Sequence, residues 1–239
     1  MIRDNSITVY WACDRLQWGA SPVLVTPPTT PAMKDISEDK FTGDSLDFIR
    51  RCPSIRSYYK NCFSVKSPVG VTIKENGDIL SHGVNNSTSM VNRFLLGSRE
   101  SVVFTEPRLL LFCEESCEVS LVQATFCRGD VACKTQVISG VMDISRWYRV
   151  LHPAFIRPLY GDIVINPDDT LVYLKFNTDR KIKFVEYSPS SELDYIAQTV
   201  SSVKDNNSFM HRSLANYYDV FKRRNMAKKI LKEVKANIV

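Results

Sequence analysis

Apolar and polar positions alternate along most of this chain. Residues 6–11 (Ser-Ile-Thr-Val-Tyr-Trp) are largely β-branched or aromatic with period two, which predicts an opening strand. From Phe63 the same signal dominates. Val69–Lys74 and Ile79–Leu80 bracket Glu75-Asn76-Gly77-Asp78. This is a predicted hairpin in which Asn-Gly supplies the two positive-φ residues of a type I′ turn. Further strands are expected at 101–105, 109–113, 118–126, 134–142, 147–150, 162–165, 171–177 and 181–187. In the strand from Leu171, Leu171 and Tyr173 should face one way and Val172, Leu174 and Phe176 the other. Asn166-Pro167-Asp168-Asp169 has turn chemistry.

Helical signals are few. Asp44–Ile49 reads as a short helix that stops before Pro53, since the residue preceding proline avoids the helical region. Residues 21–40, with Pro22, Pro27, Pro28 and Pro31, read as extended loop. Ser190 or Ser191 with Glu192 opens a helix through Ile196 and Val200, broken at Asp205-Asn206-Asn207. Another is expected from about Ser213. Leu214, Tyr217, Tyr218 and Phe221 form one apolar stripe there, and Ile230, Leu231, Val234 and Ile238 form a second. Many short strands with little helix between them predict a mainly β fold, an antiparallel β-sandwich or jelly-roll-like barrel with C-terminal helices. The expected division is a β-rich domain over residues 1–202, carrying the proline-rich loop, and a basic helical segment over 203–239.

Composition adds to this picture without changing it. The chain has 239 residues, 44% hydrophobic and 24% charged, which describes a core-forming protein and excludes a wholly disordered one. No apolar run reaches the ~18 residues of a membrane span, and Met1–Tyr10 lacks a signal-peptide apolar region. A cytoplasmic protein without a membrane partner is expected. The charge of +5 is placed unevenly. Residues 203–239 hold nine Lys/Arg and three acids, leaving 22 basic and 23 acidic groups in the first 202. Arg223, Arg224, Lys228, Lys229, Lys232 and Lys235 are therefore the candidate partner-binding residues. The tail is expected to serve contact with a partner more than stability of the β domain.

Catalytic signatures are missing from the sequence. There is no nucleophile elbow, phosphate-binding Walker loop or dinucleotide fingerprint. His82, His152 and His211 lack the His-x-Asp or His-x-Glu spacing of a facial triad. Cys113-x3-Cys117 and Cys127-x5-Cys133 resemble zinc ligand pairs, but a strand between Cys117 and Cys127 would hold the pairs apart. All seven cysteines are expected as thiols, with no metal and no cofactor. Asp162, Asp168 and Asp169, with Glu186, are the acids from which a two-carboxylate or Mg²⁺ site could be drawn. Arg50, Arg51, Arg56, Tyr58, Tyr59 and Lys60 interleave cations with aromatics, as single-stranded nucleic-acid sites do. If a pocket opens at a barrel mouth, Arg146, Arg157, Tyr160 and Asp162 are its candidate polar groups.

Two stretches carry a resemblance. The first runs from Cys52-Pro53 through Lys60-Asn61 and Ser67-Pro68-Val69-Gly70-Val71 to the Asn-Gly hairpin. The second holds Ile138-Ser139-Gly140-Val141-Met142-Asp143-Ile144, Ala154-Phe155-Ile156-Arg157-Pro158 and Gly161-Asp162. Over about half the chain this resembles an uncharacterised β-rich family found in bacteria and tailed phages. The resemblance implies a cupin-like or jelly-roll sheet and a phage-type or accessory origin, with host cytoplasm or virion as the location. It assigns no residue a role.

Three functions follow as expectations. The first is a non-enzymatic viral or phage-type accessory or structural protein acting through protein–protein contacts or self-association. The second is a small-molecule binder or enzyme with a pocket at the barrel mouth. The third is a nucleic-acid-binding protein using the basic C-terminal helix.

Overall fold

The computed structural model describes residues 5–13, 26–36, 43–82, 91–96, 100–105, 107, 109–146, 148–158, 161–205, 221–222 and 225–239. The first half holds β1 (Ser6–Cys13), α1 (Gly43–Arg51), α2 (Pro53–Tyr58), β2 (Cys62–Lys66), β3 (Gly70–Ile73), β4 (Ile79–His82), β5 (Val91–Leu96), β6 (Glu100–Thr105) and β7 (Leu109–Cys113). Then come β8 (Glu118–Gln123), α3 (Asp130–Lys134), β9 (Gln136–Val137), β10 (Val141–Asp143), β11 (Ala154–Pro158) and β12 (Ile163–Ile165). The chain closes with β13 (Thr170–Phe176), β14 (Lys181–Glu186), α4 (Ser191–Asp205) and α5 (Met226–Ala236).

The strands form four sheets, ordered β14-β1-β7, β10-β8-β13-β2, β5-β6-β11-β9 and β12-β3-β4. The fold is mainly β, and among the described residues the strand pairings are antiparallel with one exception, as the strand pattern predicts. Two departures stand out. The described strands do not close into a barrel. And β1 pairs in parallel with β14, from Ser6↔Lys181 to Trp11↔Glu186, so the two ends of the β region lie side by side.

One apolar core draws on all four sheets. Ile7, Val9 and Trp11 of β1 meet Leu109 and Leu111 of β7, Val71 and Ile73 of β3, Phe155 of β11 and Leu174 of β13. Fully burying side chains of this size stabilises the fold by roughly 1.5–3 kcal/mol each. The opposite face of β1 and β7, with Tyr10, Ala12, Leu110 and Phe112, packs under Leu193, Ile196 and Ala197 of α4 and Ile230 and Val234 of α5. β1 and β7 are thus apolar on both faces because they sit between the core and the helices. A third cluster lies outside β13, where Tyr173, Cys62 and Phe126 meet Leu46 and Ile49 of α1 and Ile55 of α2.

Several local expectations change. The 70–82 hairpin forms, but its turn is not type I′. Gly77 has φ +92°, while Asn76 is not among the positive-φ residues. Gly77 N–H donates to the Lys74 carbonyl at 2.8 Å, and Lys74 N–H to the Asp78 carbonyl at 2.8 Å. This is the longer hairpin loop in which a type I turn is followed by a positive-φ glycine. Asn166–Asp169 is a turn with Pro167 at its second position and Asp168 at φ +66° at its third, closed by Asp169 N–H on the Asn166 carbonyl at 3.1 Å.

The expected strand 134–142 is instead the end of α3 followed by two short strands, β9 and β10, with Ser139-Gly140 between them. The expected strand 147–150 contributes only the isolated bridge Leu110↔Val150, with Trp147 outside the described residues. In β13 the register shifts between Thr170 and Val172. The bulge turns Leu171 onto the same core as Val172, Leu174 and Phe176, leaving Tyr173 alone on the outer cluster.

The boundary drawn at residue 202 falls inside α4. The stripe of Leu214, Tyr217 and Tyr218 lies outside the described residues. The second stripe is buried in part: Ile230 and Val234 are both 0% exposed and Leu231 is half-buried, while Ile238 is 48% exposed. Through Ile230 and Val234, α5 packs with Tyr10, Leu110 and Phe112 of β1 and β7, so one face of the basic segment belongs to the core. The chain end is tied further by Ser188 N–H on the Asn237 carbonyl at 2.9 Å and Val239 N–H on the Glu186 carbonyl at 3.1 Å.

Candidate contact surfaces and polar clusters

Of the four residues proposed for a pocket, Arg157 and Asp162 lie close together. Arg157, on β11, is 0% exposed. Its guanidinium donates to the carbonyls of Ile73 at 3.4 Å, Lys74 at 3.1 Å and Gly161 at 3.2 Å. It clamps the 70–82 hairpin to the loop before β12. Asp162 stands nearby, accepting from Lys74 Nζ at 2.7 Å and Glu75 N–H at 2.9 Å. The Lys74 hydrogen bond, followed by that of Glu75 and the charges around them, holds its carboxyl below the usual value. Arg146 belongs to another cluster and pairs with Asp143 at 3.4 Å. Tyr160 lies outside the described residues. Between β3, β6, α3, β11 and β12 the interior keeps an apolar cavity of about 10 Å³, lined by Ile73, Val103, Phe155 and Ile163 among others. That space is the size of one water molecule.

The acids are likewise held by local donors. Asp168 accepts from Thr26 Oγ1 at 2.8 Å, and Asp169 from Asn166 N–H at 2.7 Å. Among the described residues no group of three or more His, Cys, Asp or Glu side chains is placed to hold a metal ion. β8 separates Cys117 from Cys127, as its strand signal implies. Cys113 and Cys117 are buried together at one end of β8, where the Cys113 thiol donates to the Glu115 carbonyl at 2.8 Å; the closeness of the two thiols pushes Cys113 up and Cys117 down from the ordinary thiol value. Cys127 is at the other end, and burial pushes its thiol up. A thiol raised in this way is a poor nucleophile at neutral pH. The Arg149 guanidinium donates to His152 Nδ1 at 2.7 Å.

Asp143 anchors the turn after β10. It accepts from Ser145 Oγ at 2.6 Å, Ser145 N–H at 3.0 Å, Ser116 Oγ at 2.9 Å and Cys117 N–H at 3.3 Å. Burial alone would raise its carboxyl, but these hydrogen bonds outweigh burial and hold it below the usual range. A depressed folded-state value stabilises the fold above the unfolded value, near pH 3.9, and that contribution is lost as pH falls through the folded value. Asp143→Asn should therefore flatten the loss of stability below about pH 4, read from urea unfolding at pH 3 and pH 6.

A polar cluster that sequence reasoning missed surrounds Asp35. Its carboxylate accepts from Ser64 Oγ, from Lys66 Nζ at 3.2 Å, from Thr170 Oγ1 at 3.0 Å and from the Cys127 thiol at 3.7 Å. Only 9% of the Asp35 side chain and 18% of the Lys66 side chain are exposed. The donors come from β2, β13 and the turn after β8, so one carboxylate pins the proline-rich segment onto the sheet. With its oxygens occupied by these donors, Asp35 is a clasp rather than a base open to substrate. Asp35→Ala should lower unfolding free energy by about 2–3 kcal/mol, because it strands a largely buried ammonium. Equilibrium urea denaturation measures this.

The aromatic–cation segment is partly used up within the fold. Lys175 Nζ sits 3.5 Å over the Tyr58 ring, and Tyr59 bonds Thr125 Oγ1 at 2.7 Å while packing on Phe126. Arg50, Arg51, Arg56 and Lys60 are exposed. Arg51 pairs with Asp47 and Lys60 with Asp179. The two tyrosines are not an open stacking platform.

Two surfaces are left. On α5, Lys228, Lys229, Lys232 and Lys235 all point outward, opposite buried Ile230 and Val234. Lys235 reaches Glu114 at 2.8 Å, and that hydrogen bond raises its ammonium value. Arg223 and Arg224 lie outside the described residues. Lys228 and Lys232 are like charges one turn apart and cost roughly 0.2–0.5 kcal/mol. The second surface is the edge of the β10-β8-β13-β2 sheet. Val141 of β10 is 56% exposed there, and in the connection before it Ile138 is 40% exposed, with its N–H held by the Ala154 carbonyl and the Gly140 carbonyl held by Leu121 N–H. Among the described residues no strand pairs with the outer edge of β10.

No family model matches the chain, and no curated protein matches it. A solved structure of a dUTPase mutant from phage phi11 of S. aureus, described with a structural Mg(II) ion, is similar at 14% identity. The match covers 55% of this chain and 85% of that one, with a TM-score of 0.29. No helix among the described residues is long and apolar enough to cross a membrane.

Proposed function

We propose that this is a non-enzymatic accessory or structural protein of viral type that works through protein–protein contacts, the first of them with a second copy of itself. The observation that carries this reading is the outer edge of β10, with exposed Val141 on it and exposed Ile138 in the connection before it. An edge strand presents unpaired N–H and C=O groups, and proteins usually guard such edges with charge or proline. Here β10 (Val141–Asp143) has no strand on its outer side among the described residues, and Val141 on it is apolar and 56% exposed. Antiparallel pairing of β10 with β10 of a second copy would satisfy the edge and cover Val141, and a two-fold axis makes such a contact self-complementary.

Sedimentation velocity over a concentration series tests it. The unaltered protein should shift to a dimer, and Ile138→Lys with Val141→Lys should remain monomeric with the same melting temperature, since both sites are exposed. A protein that stays monomeric throughout, or a double variant that associates equally well, refutes the reading.

A further inference from the structure

The lysines of α5 are not alone on their side of the molecule. Side chains alternate along β14. Val185 and Tyr187 pack with the helices, while Ile182 and Phe184 pack on the central core. Period two therefore puts Lys181 and Lys183 on the helix side, and both are exposed. The register places them beside α5. Lys183 pairs with Thr8, and Val9 pairs with Cys113, the last residue of β7, so Glu114, the next residue, follows close to the row of Lys183 and Thr8. Glu114 is the residue that receives Lys235. Strands are about 4.8 Å apart, so Lys183 stands about 10 Å from the site where Lys235 ends, near one Debye length at 0.1 M salt.

We infer that Lys181 and Lys183 join Lys228, Lys229, Lys232 and Lys235 in one cationic face that binds the phosphate backbone of double-stranded nucleic acid without reading sequence. Among the described residues no acid pairs with Lys181, Lys183, Lys228, Lys229 or Lys232, and Glu114 is the acid engaged on this face. Glu233, the acid of α5, is half-buried and accepts from Ser190 Oγ at 3.1 Å. Three features select the partner. Lysine is depleted at protein–protein interfaces, so an all-lysine face fits one poorly. Lysine engages phosphate as a point charge on a flexible stem, which suits a repeating backbone. Single strands are held by aromatic stacking, and these six positions are all lysine. Binding of this kind positions a duplex and carries no base specificity.

The test uses the full chain and a fluorescein-labelled 20-base-pair duplex of mixed sequence, followed by anisotropy from about 50 to 200 mM salt. The log–log salt slope should be about −4, as expected for four to five neutralised phosphates. Lys181→Glu with Lys183→Glu should weaken binding at least about tenfold at 100 mM salt, and Lys181→Gln with Lys183→Gln should flatten the slope by about 2. Lys228→Glu, Lys229→Glu and Lys232→Glu together should abolish binding. Ile138→Lys with Val141→Lys should leave it unchanged or tighter, which separates this inference from the edge contact. Melting curves of each variant confirm folding. Absence of duplex binding at 50 mM salt, unaltered binding by both β14 variants, or equally tight binding of poly-glutamate would overturn the inference.

Discussion

Arg157→Met should lower the unfolding free energy by about 3–5 kcal/mol, the loss expected when buried polar groups are left unsatisfied around a hole. Methionine follows the aliphatic stem but removes the guanidinium. The carbonyls of Ile73, Lys74 and Gly161 would then lose their shared donor. Each orphaned acceptor costs about 1–3 kcal/mol where water cannot replace the donor. The Lys74 carbonyl still accepts from Gly77 N–H, which keeps the total below the sum. Arg157→Lys should recover little, since one ammonium cannot span three carbonyls that a planar fork reaches together. Urea unfolding at pH 7 reads the difference. A loss under about 1 kcal/mol would mean that the hairpin and the loop before β12 are held by other contacts.

That role was not legible in the sequence, and the reason is physical. Arg157 stands in a strand pattern between Ile156 and Pro158, where an arginine ordinarily faces water. Only the tertiary placement of two carbonyl-rich turns around it makes burial favourable. Asp35 is similar. Its donors lie 29 to 135 residues away, at Ser64, Lys66, Cys127 and Thr170, and no local pattern marks them as one group. Strand positions 109–113 and 181–186 were legible because alternation or a continuous apolar run reports burial directly. The neighbours of β1 were not, because parallel pairing with β14 is a contact between the two ends of the β region. α3 escaped notice because five residues are too few for a 3.6-residue period to show. Of the candidate sites, the lysine stripe of α5 was legible as a face opposite Ile230 and Val234. Its continuation onto β14 needed the strand register.

Ending the chain after Asn225 should cost more than about 5 kcal/mol and abolish cooperative unfolding at 25 °C. Removal of α5 takes away Ile230 and Val234, both 0% exposed, together with half-buried Met226 and Leu231. At roughly 1.5–3 kcal/mol for each fully buried side chain, the inner pair and its partly buried neighbours approach the whole stability of an ordinary domain. The truncation also uncovers Tyr10, Phe112 and the Tyr148–Tyr187 pair, whose hydroxyls bond at 2.8 Å beneath the helices. A smaller change isolates the same face: Ile230→Ala should cost about 2–4 kcal/mol. The outward face should behave differently. Lys228→Glu, Lys229→Glu and Lys232→Glu together alter exposed positions and should each stay within about 0.5 kcal/mol of neutral. Near-UV circular dichroism and urea titration of the three proteins distinguish the faces. If the truncated chain unfolds at the same urea concentration as the full one, α5 is not part of the core, and the packing that holds its lysines beside β14 is absent in solution.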